Sequence, residues 1–280
     1  MKRKSYQHVS DPWQGWPFFS RILTPDCFPN RNFAGMSGIL LLRVTKSTFY
    51  LLGGYHSGCI CSVHFDTRFG QNHPVLEHNI LVVDLPQSTR LRSRVREAYS
   101  AAAEKPNASH PFPVGRDFAE SLGYPGDLLD HMPSACVDAF AGVSNVVLFA
   151  DLLLSATVLD LGCGAGLDSL IAAQRIGPGG RVLGLDFSES MLFRARQAGS
   201  QLGRENVLFC RGDAENLPLE DETIDAVLVN GIFNLNPARA AIFCELGRVV
   251  KPGGVVYLAE IILRQPLPPE VRASEVDWFA

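Results

Sequence analysis

The chain has 280 residues, 46% of them hydrophobic, and a formal net charge of −4. That balance suits one large domain, or one domain with a small appendage, and no apolar run approaches the roughly 20 residues of a membrane span. The basic start Met1-Lys2-Arg3-Lys4 is not followed by the apolar stretch and small-residue cleavage site of a secretory signal, so a cytoplasmic location is expected. Charge is uneven. Residues 1–90 carry nine Lys/Arg against five Asp/Glu, and the remainder sixteen against twenty-four. The acidic second part argues against a nucleic-acid partner. A small-molecule partner is expected, with no membrane partner, and the sequence leaves the oligomeric state open.

The first ninety residues show no catalytic constellation. The segments 12–17 and 25–32 are rich in Pro, Gly and Asn and read as loops. Residues 39–44 and 47–52 alternate and branch as a hairpin would, and 59–65 and 79–85 read as further strands. Cys59 and Cys61 with His56 and His64 match no standard zinc spacing; a Cys-x-Cys pair on a strand puts both thiols on one face in any case, so no metal is expected. Three readings stand for residues 1–90: a small β-rich appendage, a poorly ordered leader, or a misassigned start.

Residues 91–156 read as a helical, cap-like segment. Its basic cluster Arg90, Arg92, Arg94 and Arg96 suits a solvated helix face better than a phosphate-binding groove. Cys136 lies here, and His110 and His131 are the best guesses for a proton acceptor. No catalytic residue is assigned.

From residue 157 the pattern changes. Thr157-Val158-Leu159-Asp160-Leu161-Gly162-Cys163-Gly164-Ala165-Gly166 reads as a buried strand, a glycine loop and the start of a helix. Glycines there let the backbone turn through φ > 0 and approach a nucleoside-bearing cofactor closely. The spacing is GxGxG, whereas a dinucleotide site has GxGxxG. A second strand, 181–186, ends in Asp186, placed to accept both ribose hydroxyls. A third, 206–214, contains Asp213; a fourth, 224–230, ends in Asn230; the residues 249–254 stop a helix, and a fifth strand spans 255–262. Helices are expected at about 167–176, 189–202 and 237–250, which makes an α/β, doubly wound, mostly parallel sheet.

This ordered motif series resembles the class I S-adenosylmethionine-dependent methyltransferases. The resemblance implies a Rossmann-like core over residues 157–280 and S-adenosyl-L-methionine as cofactor. Asp160, Gly162, Cys163 and Gly164 would lie along its methionine side and Asp186 and Phe187 at its ribose. Met191, Asp213 and Ala214 would meet the adenine, and Asn230 would sit near the methyl group. Gly166 and Met191 also have a plain packing reading.

A narrower resemblance covers about residue 95 to the end. VREAYSAAAEK, FAESLGYPGDLLDHMPSACVDAFAGVSN, FNLNPAR and LPPEVRA are similar to the arsenite methyltransferase group, whose members hold trivalent arsenic through cysteine thiolates. The matching positions here are Val143 and Gly231, and the upstream pair falls in Asn107-Ala108-Ser109-His110. The thiol site therefore does not carry over. Of the seven cysteines, Cys163 fills a place for a small residue, Cys210 and Cys244 read as core, and an odd count without a signal suggests a reducing compartment.

Only about eighteen residues follow Ile262, too few for the sixth and seventh strands that usually end this fold. The fifth strand should then be a bare edge, an association hazard, unless something covers it; residues 38–65 are a candidate. The expected function is transfer of a methyl group from S-adenosylmethionine to an unidentified small acceptor. Two alternatives remain: an arsenite methyltransferase-like enzyme, and an inactive cofactor-binding remnant that acts by association.

Overall fold

The structure, a computed structural model, describes residues 19–23, 36–45 and 85–263, and side chains over 89–261. Among them a seven-stranded sheet runs in the order β1-β2-β7-β6-β3-β4-β5. Its strands are β1 (Phe19–Leu23), β2 (Met36–Thr45), β3 (Thr157–Leu161), β4 (Arg181–Asp186), β5 (Val207–Arg211), β6 (Ile224–Asn230) and β7 (Val250–Leu263). Strands β3 to β7 are mutually parallel. The crossovers are α6 (Leu167–Ile176), α7 (Glu189–Gln201) and α8 (Arg239–Val249). Before them come α1 (Leu85–Glu104) and four short helices, α2 (Arg116–Ser121), α3 (Gly126–Asp130), α4 (Ser134–Val137) and α5 (Val146–Phe149), here called the cap.

The parallel strands are apolar on both faces because helices cover both. Val158, Ala226, Leu228 and Tyr257 pack with Leu170 and Leu192 and with the cap's Val146 and Val147. Their strand neighbours Leu159, Val227, Val229 and Val256 point the other way, onto Ile242, Leu246 and Val249. The period-2 alternation of a strand thus builds two cores from one run of aliphatic residues.

The predicted helix bounds hold within about two residues. The predicted helix stop at 249–254 holds: α8 ends at Val249 and β7 begins at Val250, with residues 251–254, Gly253 at φ 82° among them, bulging out between the Val250 and Val255 pairings with β6.

The expected hairpin partner 47–52 lies outside the described residues, along with 59–65 and 79–84. Strand β2 pairs antiparallel with β1 on one side and with β7 on the other, from Met36 opposite Leu263 to Thr45 opposite Val255, so part of the candidate stretch 38–65 does stand beside β7. The edge of β7 is therefore covered. The backbone of β7 offers a full row of donors and acceptors, and a branched apolar run such as Ile39-Leu40-Leu41-Leu42 satisfies it while remaining a strand.

Because β2 has a neighbour on each side, a proline within it breaks a ladder bond whichever way that amide points. Leu41→Pro should lower stability by about 3 kcal/mol, speed amide exchange along 255–263 and cause concentration-dependent association. Unchanged exchange over β7 would show that β2 does not cover it.

Candidate functional site

Sheet order reverses between β3 and β6: β4 and β5 follow β3 on one side, and β7 flanks β6 on the other. The loops leaving β3 and β6 diverge there, and a crevice opens at the strands' carboxyl ends. The cleft at this point encloses about 1110 Å³, its open mouth included. All ten residues singled out from the sequence line it: Asp160, Gly162, Cys163, Gly164, Asp186, Phe187, Met191, Asp213, Ala214 and Asn230.

The loop glycines have separate reasons. Gly162, at φ 76°, has no room for a Cβ, which would lie 2.3 Å from Ile232 Cγ2. Gly166, at φ 87°, caps α6, and a Cβ on it would meet Ala195 and Phe209 at 2.9 Å, which is the packing reading. Around Gly164 only Met191 Sδ comes as near as 4.0 Å, so this glycine leaves space free.

Three buried carboxylates line the cleft. Asp186 accepts hydrogen bonds from the N–H groups of Gly164 (2.9 Å) and Ser188 (2.8 Å). Asp160 accepts from the Ser169 hydroxyl. Asp168 accepts from the Tyr124 hydroxyl and from Asn230 Nδ2 (2.8 Å). None of these donors is a cation. Burial raises the pKa of all three, and for Asp160 the neighbouring Asp168 carboxylate raises it further.

Asn230 joins the end of β6 to the cap. Its Oδ1 accepts from the N–H groups of Val143 (2.9 Å) and Ser144 (3.0 Å), and its Nδ2 donates to Ser144 O (2.8 Å) as well as to Asp168. The amide's hydrogen-bonding capacity is thus committed to the chain itself.

The arginine cluster needs correction. Arg92, Arg96 and Tyr99 line the cleft from α1. Arg92 pairs with Asp213 (2.8 Å) and Glu215 (3.1 Å), and Arg96 stands 5.7 Å from the centre of the Phe187 ring. The 92, 96, 99 spacing places the three on one helical face, a signal that could have been read from the sequence. His110 and His131 are not in the cleft; their rings bond to the Lys105 and Asp127 carbonyls of their own loops. Cys136 lines the cleft, but so does Cys163. Burial pushes the Cys136 thiol up to about 12, and it donates to Pro133 O at 3.1 Å. Cys210 and Cys244, read as core, are only half-buried. Among the described residues no group of three His, Cys, Asp or Glu is arranged to hold a metal.

Two of the positions that resemble the arsenic group's cysteines, Val143 and Gly231, are neighbours: a Cβ on Gly231 would lie 2.7 Å from Val143 Cγ1.

Residues 155–278 match a family model described as a methyltransferase domain. An arsenite methyltransferase of Halobacterium salinarum is 36% identical over 154 residues, which are 55% of this chain and 39% of the relative. A demethylmenaquinone methyltransferase of Lactococcus lactis is 36% identical over 108 residues, 39% of this chain and 43% of the relative. Among solved structures, an arsenic(III) S-adenosylmethionine methyltransferase from Chlamydomonas reinhardtii aligns at 29% identity with a TM-score of 0.46, over 56% of this chain and 54% of that one. The resemblance to methyltransferases read from the motifs holds on the domain model and the curated relatives, over a chain that spans less than half the length of those relatives.

Two outcomes follow from the site's electrostatics. Asn230→Asp keeps the shape but sets a carboxylate against Asp168 and replaces two donors by acceptors. Stability should fall by about 2–4 kcal/mol at pH 8 and partly recover on acidification, as read by denaturant unfolding. In the unaltered, ligand-free chain, the raised carboxylates bind protons more tightly folded than unfolded. Their stabilising contribution is complete below the ordinary carboxylate range and is lost as pH rises through the raised values. Thermal unfolding should show this chain less stable at pH 8 than at pH 6.

Proposed function

We propose that the chain is an S-adenosylmethionine-dependent methyltransferase acting on a small, apolar acceptor. The observation that carries the reading is the set of buried carboxylates Asp160, Asp168 and Asp186, lining one cleft with no cationic side chain bonded to them. Buried charge demands a partner. A ligand bearing an ammonium and a sulfonium supplies one, whereas a dinucleotide pyrophosphate would be repelled. The residues thus fit S-adenosylmethionine: Asp186 for the ribose, Asp160 and the glycine loop for the methionine end, and Met191, Asp213 and Ala214 for the adenine.

The cofactor, when bound, supplies an electrophilic methyl group on a cationic sulfur. The chain's part is to align the acceptor and to exclude water. Val95, Ala139, Phe140, Ala141, Ile232 and Leu235 give the rest of the cleft an apolar wall, which favours a neutral, oily acceptor. No histidine or lysine lines it, so the reading assigns the chain no proton acceptor of those kinds.

The assignment predicts how binding titrates. A cation binds the ionised carboxylates and displaces their protons, so S-adenosylmethionine should bind more tightly at pH 8 than at pH 6, with proton release in calorimetry. S-adenosylhomocysteine, which lacks the sulfonium charge, should show a smaller dependence, and NAD should not bind. Asp186→Ala should weaken binding by roughly ten- to a hundred-fold, about 1.5–3 kcal/mol. NAD binding with no response to S-adenosylmethionine would overturn the reading.

Arsenite is the second acceptor to consider, since a relative of that name matches over half of this chain. With Val143 and Gly231 at the thiol positions and Cys136 held neutral, incubation with arsenite, glutathione and S-adenosylmethionine should give little or no methylated arsenic. Robust turnover that is lost on Cys136→Ser would restore the arsenic reading.

A further inference from the structure

One buried carboxylate takes no part in the cofactor reading. Glu260 follows Ala259, the register partner of Asn230, so it stands just past the carboxyl end of β6. It is 8% exposed. Its Oε2 accepts from the Phe233 N–H at 2.7 Å and its Oε1 from the Ile261 N–H at 3.1 Å. The same stretch is tied down by Gly231 N–H to Ala259 O (2.9 Å), Asn234 Nδ2 to Ile261 O (2.7 Å) and Arg239 Nε to Phe233 O (2.7 Å). What these bonds hold is a wall of the cleft: Gly231, Ile232, Leu235 and Asn236 line it, and Ile232 is the side chain that abuts Gly162. From Asn236 the contacts continue through Nδ2 to Glu215 (3.1 Å) and on to Arg92 of α1.

We propose that Glu260 is a positioning residue whose carboxylate pins the turn Phe233–Leu235 to β7 and thereby fixes the wall of residues 231–236, without itself entering the cleft. Two backbone donors converge on its two oxygens, and the ionised carboxylate accepts at both. An amide turns one oxygen position into a donor that faces an N–H. The charged and titratable groups that face it are Arg239 from α8 and Tyr99 from α1. Arg239 favours the ion; the Tyr99 hydroxyl is itself raised, by burial first and then by the charges of Glu260 and Asp186. Burial outweighs the arginine and the backbone donors and raises Glu260 to about 7. Glu260 is therefore ionised above neutrality. This assignment concerns the wall and is independent of which ligand the cleft takes.

Amide hydrogen exchange on the full chain, corrected for intrinsic rates, tests it without any ligand. In the unaltered chain at pH 8, where Glu260 is ionised, the amides of Phe233 and Asn234 should be at least about tenfold better protected than in Glu260→Gln, while Val227 and Val229 within β6 differ little between the two. Wild-type protection of Phe233 in Glu260→Gln overturns the proposal. Should that variant fail to fold, Glu260→Asp decides: its shorter carboxylate cannot reach both amides, and wild-type protection of Phe233 in it overturns the proposal.

Discussion

At the cleft, one side-chain amide ties the cap to the end of the sheet. Asn230 ends β6 at the point where the sheet order reverses, and it bonds two cap N–H groups, a cap carbonyl and the Asp168 carboxylate. A helical cap laid over parallel strands has few backbone bonds of its own to offer them. Its attachment must come from side chains that can both donate and accept, and an amide does both in one plane. Gly142 shows how closely the two parts meet, since a Cβ there would lie 2.5 Å from the Asn230 amide nitrogen. Tyr124 reinforces the joint from the cap side, its hydroxyl reaching Asp168 and the Ser144 carbonyl.

From that joint follows the character of the cleft. With the cap held down, Asp160, Asp168 and Asp186 are buried, and the cost of their charge rises steeply with the loss of water. The site is preorganised for positive charge in the sense that the protein carries the unfavourable term before any ligand arrives. Arginine is present at the mouth, but Arg92 is spoken for by Asp213 and Glu215 and so does not neutralise the acids within. The same burial that tunes the acids leaves Cys136 a neutral thiol, a poor ligand for a soft ion. Chemistry that looks accessible in a string of cysteines is thus removed by where the fold places them.

Much of this was legible beforehand, for identifiable reasons. Strands that end in Asp160, Asp186 and Asn230 announce themselves because a buried parallel strand must be apolar and its end must be polar. The glycine loop is legible because φ > 0 is nearly exclusive to glycine. What escaped was long-range. That Ile232 sits over Gly162 cannot be seen from either loop alone. Arg92 and Arg96 read as a solvated face because a helix's outward charges and its cleft-facing charges look alike until a partner such as Asp213 is placed. Glu260 lies inside an apolar strand, and nothing in the local pattern shows that Phe233 will turn its amide toward it. The cover of β7 was open in the sequence to any part of 38–65, for a related reason: pattern identifies a strand, and only the whole sheet says which neighbour it takes.

Pairing β2 with β7 joins two distant parts of the chain, with Met36 opposite Leu263. During synthesis β2 leaves the ribosome early and must wait for almost the entire core before its long-range partner exists. Until then its backbone groups have only β1 for company, and an isolated two-stranded ribbon is marginal in water. Closing so large a loop late makes this pairing a slow, high-contact-order step. The sheet should therefore be seeded by the local β3, α6 and β4 unit and sealed last by β2, so that nascent chains stalled short of β7 keep an unmatched ribbon that chaperones can recognise.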